Sequence, residues 1–277
     1  MSWGLVLSGG AALGISNAGV IERLEEEGLR PDCIAGSSMG AIVGALYALG
    51  LPTSAFRKVI SQIKLNKLAK LSDKPLKQGL HGGILRQRIN ELLSPLIGDA
   101  IIADCKIPFV CIAGKIKEPI KWEKMLGKGF TPHVMECAEK YIFPPDTKLI
   151  DALTASSAIP VIFSPVKIGE DSFIDLCTFG AIPARTLKEE LNPDVIIATN
   201  TTPHYSIIKR FAPASLKEFI AASHQSREES KAQCDLIIEP NLDFSMIRFD
   251  KGEEFIDAGR DAVDGAMERL KELIVRK

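Results

Sequence analysis

Apolar residues fall in short unbroken runs, separated by amphipathic stretches, through the first part of the chain. Trp3-Gly4-Leu5-Val6-Leu7 has no polar position, the pattern of a strand covered on both faces. Ser8 to Gly14 follows as a tight glycine-rich loop. Val20, Ile21 and Leu24 then recur at helical spacing, with Glu22, Arg23, Glu25 and Glu26 on the other face and Gly28 as the expected stop. Asp32 to Ala35 predicts a second strand and Gly36 to Gly40 a turn. Ala41 to Leu49 predicts a helix apolar all round, which must be buried. The order strand, helix, strand, helix predicts an α/β fold, with a mostly parallel central sheet between two layers of helices.

The pattern is less regular further on. Thr53 to Ile63 predicts a helix, and Lys64 to Gly83 a basic, polar excursion carrying Pro75, Gly79, Gly82 and Gly83. Ile84 to Leu93 is amphipathic at helical spacing. Phe109 to Ala113 predicts a strand, with Ile120 to Trp122 as a candidate partner. Leu149 to Ser157 predicts a short helix ended by Pro160, and Ser172 to Asp175 the end of a strand. Helix Arg185 to Leu191, strand Val195 to Thr199, helix Ser215 to Ala232, strand Leu236 to Ile238 and a long amphipathic helix from Glu253 to Val275 complete the chain. With no repeat and no long linker, residues 1–277 are expected to form a single domain.

Composition narrows the function classes. Hydrophobic residues make up 46%, charged residues 25%, and the net charge is -1. That balance lacks the basic excess of a nucleic-acid binder and the electrostatic pull of an anionic-membrane binder. Cys33, Cys105, Cys111, Cys137, Cys177 and Cys234 form no C-x-x-C pair, so they are expected to be reduced thiols of a cytoplasmic protein. No metal and no cofactor are expected. The first apolar run, Trp3 to Leu7, is too short for a signal peptide, and no run approaches the roughly 20 residues of a membrane span. Peripheral contact with a membrane surface is the remaining expectation. The stretch Lys64 to Lys77, with Leu65, Leu68, Leu71 and Leu76, suits an interfacial flap or an ordinary solvated excursion.

Gly36-Ser37-Ser38-Met39-Gly40 matches G-x-S-x-G between a predicted strand and a predicted helix. A serine hydroxyl is a weak nucleophile and needs presentation at a turn that a base can reach. Gly36 and Gly40 permit that turn, and the central Ser38 is the candidate nucleophile, Ser37 being one residue early. The same pattern also suits a plain strand-to-helix turn. In the loop after the first strand, the amides of Gly9, Gly10, Ala11 and Ala12 are candidate oxyanion donors. The loop has neither the Lys-Ser/Thr of a P-loop nor a clean G-x-G-x-x-G.

Candidate bases are few. Of the histidines His81, His133, His204 and His224, only His204 follows a predicted strand, which keeps a Ser38-Asp175-His204 triad open. Asp175 is a carboxylate at the end of an apolar strand, costly there unless partnered or functional.

Together these residues resemble the patatin-like phospholipase family. The resemblance runs through Leu7-Ser8-Gly9-Gly10, Gly14, Gly19-Val20, Ile34 to Ala41, Gly44 to Ala48, Ala155 to Pro160, Phe163, Pro165, Asp175 and Pro183. It also includes Asp235 to Pro240 and Ala258-Gly259. It implies a three-layer α/β/α fold and a serine hydrolase of acyl-lipid esters. It also implies a Ser38-Asp175 dyad without histidine, and an oxyanion hole in the Gly9 to Ala12 loop. Only one predicted strand and helix precede the serine strand, where an α/β hydrolase builds several strands first. The chain departs from the family pattern at Ala11, Leu13 and Leu176, where a glycine, a basic residue and a glycine are usual. Ala11 retains its N–H, and the hole is expected provided that its backbone avoids positive φ. The departures at Leu13 and Leu176 leave a catalytically weak or inactive lipid-binding protein as the alternative.

Overall fold

The computed structural model describes residues 1–60, 82–120, 130–160, 163–176, 181–201, 227–242 and 248–274. Strand β1 (Trp3–Leu7) is the centre of the parallel part of the sheet, and both of its neighbours run parallel to it: β2 (Cys33–Gly36) and β7 (Val195–Thr199). The ladder continues in parallel to β8 (Leu236–Ile238) beyond β7, and to β3 (Phe109–Ile116) beyond β2. The far edge is antiparallel, where β6 (Asp171–Ile174) pairs with β3 and with β5 (Val166–Ile168). The sheet order is β5-β6-β3-β2-β1-β7-β8, with β4 (Ala138–Ile142) paired to β3 off this path.

Alternation along each strand sends its side chains to opposite cores. Leu5, Leu7, Ile34, Val195 and Ile197 enter the larger core. That core lies under α1 (Ser16–Glu26), α2 (Met39–Ala48), α3 (Ser54–Ile60), α4 (Gly82–Ile97), α6 (Leu149–Ser156) and α8 (Gly252–Ile274). Val6, Cys33, Ala35, Ile196 and Ala198 face the other way, against α7 (Ala184–Leu191). A sheet apolar on both faces needs both helical layers, which is why β1, β2 and β7 lack a polar face. The fold is therefore α/β/α around a mixed, mostly parallel sheet.

Several expectations change. The antiparallel partners of β3 are β4, from Ile112↔Ile142 to Ile116↔Ala138, and β6, where the sequence pattern suggests Ile120 to Trp122. Ile120 is buried outside any strand, and residues 121–129 lie outside the described residues. Glu139 and Lys140 are exposed on β4, so its apolar signal is weak. Glu22 is buried despite its charge: Arg57 holds it through Nε at 3.1 Å and Nη2 at 2.9 Å, and Arg260 lies 3.5 Å away. The expected helix from Ser215 to Ala232 is described only at 227–232, of which 227–231 are helical and 232 is a turn. The basic excursion, the candidate flap included, lies mostly in 61–81, outside the described residues.

Candidate active site

The chain leaves β2 at Gly36 and enters α2 at Met39, so Ser37 and Ser38 make the whole turn. Ser38 has φ 53° and ψ -127°, a conformation that strains a residue with a side chain. A β-carbon at Gly36 would sit 2.6 Å from the Ala41 Cα, and one at Gly40 would collide with the Leu7 carbonyl oxygen, so the turn is built from glycines of necessity. Its backbone is tied down on both sides. The Ser37 N–H donates to Leu7 O at 3.2 Å, and the Ala41 N–H donates to Ser38 O at 3.0 Å. The Ser38 N–H donates to Ser156 Oγ at 2.8 Å, an acceptor at the end of α6. The Ser37 side chain is wholly buried.

The glycine loop lies against this elbow, since a β-carbon at Gly9 would come 3.0 Å from Ser38 Cβ. Ala11 to Ile15 form a 3-10 turn, closed by the Leu13 N–H donating to Gly10 O at 3.0 Å. Gly9 differs from its neighbours, because its N–H donates to Ala181 O at 2.9 Å. The N–H groups of Gly10, Ala11 and Ala12 reach no backbone carbonyl among the described residues. The same is true of Met39, the first residue of α2. A helix start leaves such donors open. Met39 follows the serine directly, where an elbow supplies one oxyanion donor, and sequence reasoning passed over it. Ala11 adopts φ 49°, so the proviso on its backbone is not met; the alanine instead takes up a conformation that glycine adopts freely. It holds a glycine-like backbone at the cost of about 1–2 kcal/mol.

Asp175 follows β6 directly, is 1% exposed, and donates its backbone N–H to Ala158 O at 2.9 Å. Its carboxylate acts on Cys111, which is aligned with Gly36 in the β2–β3 ladder. Burial pushes the Cys111 thiol up to about 12; a hydrogen bond with Ser156 opposes this rise and the Asp175 charge adds to it. Cys111, beside the serine strand, thus lies within electrostatic reach of both the Ser156 hydroxyl and the Asp175 charge. Ala181, the acceptor for Gly9, lies six residues after Asp175 in sequence, so the segment after β6 does reach the glycine loop.

The two leucine departures are core residues. Leu13 is fully buried in the larger core and Leu176 in the smaller one. His133 sits on α5 (Phe130–Cys137), buried and 3.5 Å from Cys137 Sγ through Nδ1. His81, His204 and His224 lie outside the described residues. Among the described residues no group of three or more His, Cys, Asp or Glu is placed to hold a metal. No described helix is long and apolar enough to cross a membrane.

Sheet, elbow and glycine loop define an α/β/α protein with a serine turn at the carboxyl edge of its central strands. The chain belongs to the patatin-like phospholipase family, whose model matches residues 5–188. Over 45 residues it is 58% identical to Lysophospholipase NTE1 of Saccharomyces cerevisiae, a stretch that is 16% of this chain and 3% of that protein. The Aspergillus fumigatus lysophospholipase nte1 matches to the same extent: 58% over 45 residues, 16% of this chain and 3% of the relative. The matches therefore span a small part of these relatives. Among solved structures, VipD from Legionella pneumophila aligns with TM-score 0.43 and 14% identity, over 95% of this chain and 67% of that one. ExoU of Pseudomonas aeruginosa, solved with SpcU, aligns with TM-score 0.44 and 16% identity, over 96% and 52%.

Proposed function

We propose that the protein hydrolyses carboxylic esters of acyl lipids, with Ser38 as nucleophile and Asp175 as general base. The strained backbone of Ser38 carries this reading. A φ of 53° at a serine is held against its own cost by glycines on both sides and by the Ser156 acceptor. A plain packing turn would place a glycine there.

The Asp175 carboxylate takes the Ser38 proton as Oγ attacks the ester carbonyl. The amides of Gly10, Ala11, Ala12 and Met39 bind the resulting oxyanion. Gly9 braces the loop through Ala181 and lends its amide to that contact instead. Collapse of the tetrahedral intermediate expels the alcohol, which takes the proton from Asp175. Asp175 then activates a water, which releases the fatty acid from Ser38. The acyl-lipid class rests on the family and on relatives named as lysophospholipases. The protein would work in the cytoplasm, in transient contact with a membrane surface where its substrate lies.

The test is hydrolysis of a lysophospholipid and of a nitrophenyl ester, with fluorophosphonate labelling of Ser38. Wild type should turn over and label, and Ser38→Ala and Asp175→Ala should do neither at more than background. A well-folded wild type that neither hydrolyses nor labels leaves a lipid-binding protein on the same fold. Under the dyad, His204→Ala keeps the rate; a loss matching that of Asp175→Ala would establish the triad instead.

A further inference from the structure

We infer that Thr201 is the positioning residue of the oxyanion hole, fixing the peptide that carries the Gly10 amide. The inference rests on the serine mechanism proposed above and names a part of it that the glycine loop does not contain.

Thr201 follows β7 and is wholly buried against the loop. Its Oγ1 donates to the Gly9 carbonyl at 3.1 Å, and its own N–H donates to Ser8 Oγ at 2.9 Å. Ser8 Oγ and Thr201 Oγ1 are 3.0 Å apart. A hydroxyl has one proton to give. With the Thr201 proton committed to Gly9 O, the Ser8 hydroxyl must donate to Thr201 Oγ1. The result is a closed relay, from the Thr201 amide through Ser8 and the Thr201 hydroxyl to the Gly9 carbonyl.

Its consequence lies in the geometry of the peptide. The Gly9 carbonyl and the Gly10 N–H belong to one planar trans unit and point in opposite directions. Holding the carbonyl against Thr201 turns the Gly10 amide away from Thr201. Gly10 itself packs closely against Thr201, since a β-carbon at Gly10 would lie 2.5 Å from Thr201 Oγ1. The neighbouring Gly9 lies against Ser38. Further bonds hold the remainder of the loop: Asn17 Nδ2 donates to Ser8 O at 2.9 Å, and the Ser8 N–H donates to Thr199 Oγ1 at 3.0 Å. Only the Thr201 hydroxyl, among these, touches the peptide that carries a free oxyanion donor. Without it that peptide is free to rotate, and the donor must be reoriented in each turnover.

The experiment compares Thr201→Val and Thr201→Ser in the full chain, on a nitrophenyl ester, with thermal unfolding in parallel. Valine keeps the shape and removes the hydroxyl. It should lower kcat about 100-fold, as loss of one oxyanion donor does, and leave KM unchanged, because the contact forms in the transition state. Serine restores the hydroxyl and should restore kcat. If valine does not fold, Thr201→Ala is read in the same way, since it also lacks the hydroxyl and adds no methyl against Gly9. Wild-type kcat in a folded valine or alanine variant overturns the inference. So does a loss that serine shares and that follows melting temperature, since that marks packing alone. Turnover that persists in Ser38→Ala overturns the serine mechanism itself, a result distinguished by that variant alone.

Discussion

The Ser38 amide and the Ser156 hydroxyl meet at 2.8 Å across 118 residues of sequence, and their bond joins the elbow to the end of α6. Both residues are buried, so no solvent competes for the bond. Ser156→Ala leaves a buried N–H without an acceptor, which costs about 1–3 kcal/mol. It also frees the strained serine to relax. The expected outcome is an unfolding free energy in urea lowered by that amount and kcat reduced about tenfold, small displacements at a reacting atom being costly. Ser156→Thr keeps the acceptor and should recover most of the rate.

Strain at Ser38 predicts an opposition between stability and activity. A non-glycine residue in a sparsely populated conformation costs on the order of 1–3 kcal/mol, and φ 53° with ψ -127° is such a place. Ser38→Gly removes the penalty and the nucleophile together. Glycine also enlarges the unfolded ensemble, which offsets part of the gain. Net stabilisation of about 1 kcal/mol is expected in chemical denaturation, with no ester hydrolysis. Ser38→Ala is equally inactive but keeps the strain, and so should unfold close to wild type. A glycine variant no more stable than the alanine variant would show that the elbow stores no strain.

Ala11 makes the converse case, a strained residue whose side chain has no chemistry. Its φ of 49° is one that glycine adopts freely. Ala11→Gly relieves about 1–2 kcal/mol of left-handed strain, against about 0.4–1 kcal/mol of added unfolded-state entropy. The variant should be more stable by about 0.5–1 kcal/mol at unchanged fold, read from its denaturation midpoint. Its kcat should stay within about threefold of wild type, because the Ala11 amide already has the orientation that glycine would take.

What was legible in the chain follows from how local each signal is. β1, β2, α2 and β7 are apolar at almost every position, and burial on both faces leaves them little choice. The elbow was legible because its glycines and serine are contiguous. β4 was hidden because its middle, Glu139 and Lys140, is exposed and charged. Glu22 was assigned to solvent by its charge, but Arg57 and Arg260 arrive from α3 and α8 to neutralise it in the interior. Ser156 and Thr201 lie 118 and 192 residues from the backbone groups that they hold. No spacing rule reaches so far. Met39 was overlooked for another reason, since its contribution is a backbone amide that its side chain does not advertise.

The contact between α1 and α8 gives the last prediction. Gly19 and Gly259 let the two helices touch through their backbones: a β-carbon at Gly19 would collide with the Ile256 carbonyl oxygen, and one at Gly259 with the Ser16 carbonyl oxygen. No rotamer relieves a clash at a β-carbon, so the helices must separate to admit either methyl. Separation also pulls Arg260 from Glu22 and Glu26, which it meets at 3.5 and 2.8 Å. Overpacking of this kind costs about 1–3 kcal/mol, sometimes more. Gly19→Ala and Gly259→Ala should each lower the denaturation midpoint by at least 2 kcal/mol's worth, the upper part of that range. The two sites share one interface, so the double variant should fall short of the sum by about 1 kcal/mol or more. The helix that must move, α1, begins at the end of the 3-10 turn carrying Ala11 and Ala12. Both single variants should therefore lose rate as well as stability. Full additivity, or unchanged turnover in either, would mean that the helices yield locally and leave the glycine loop in place.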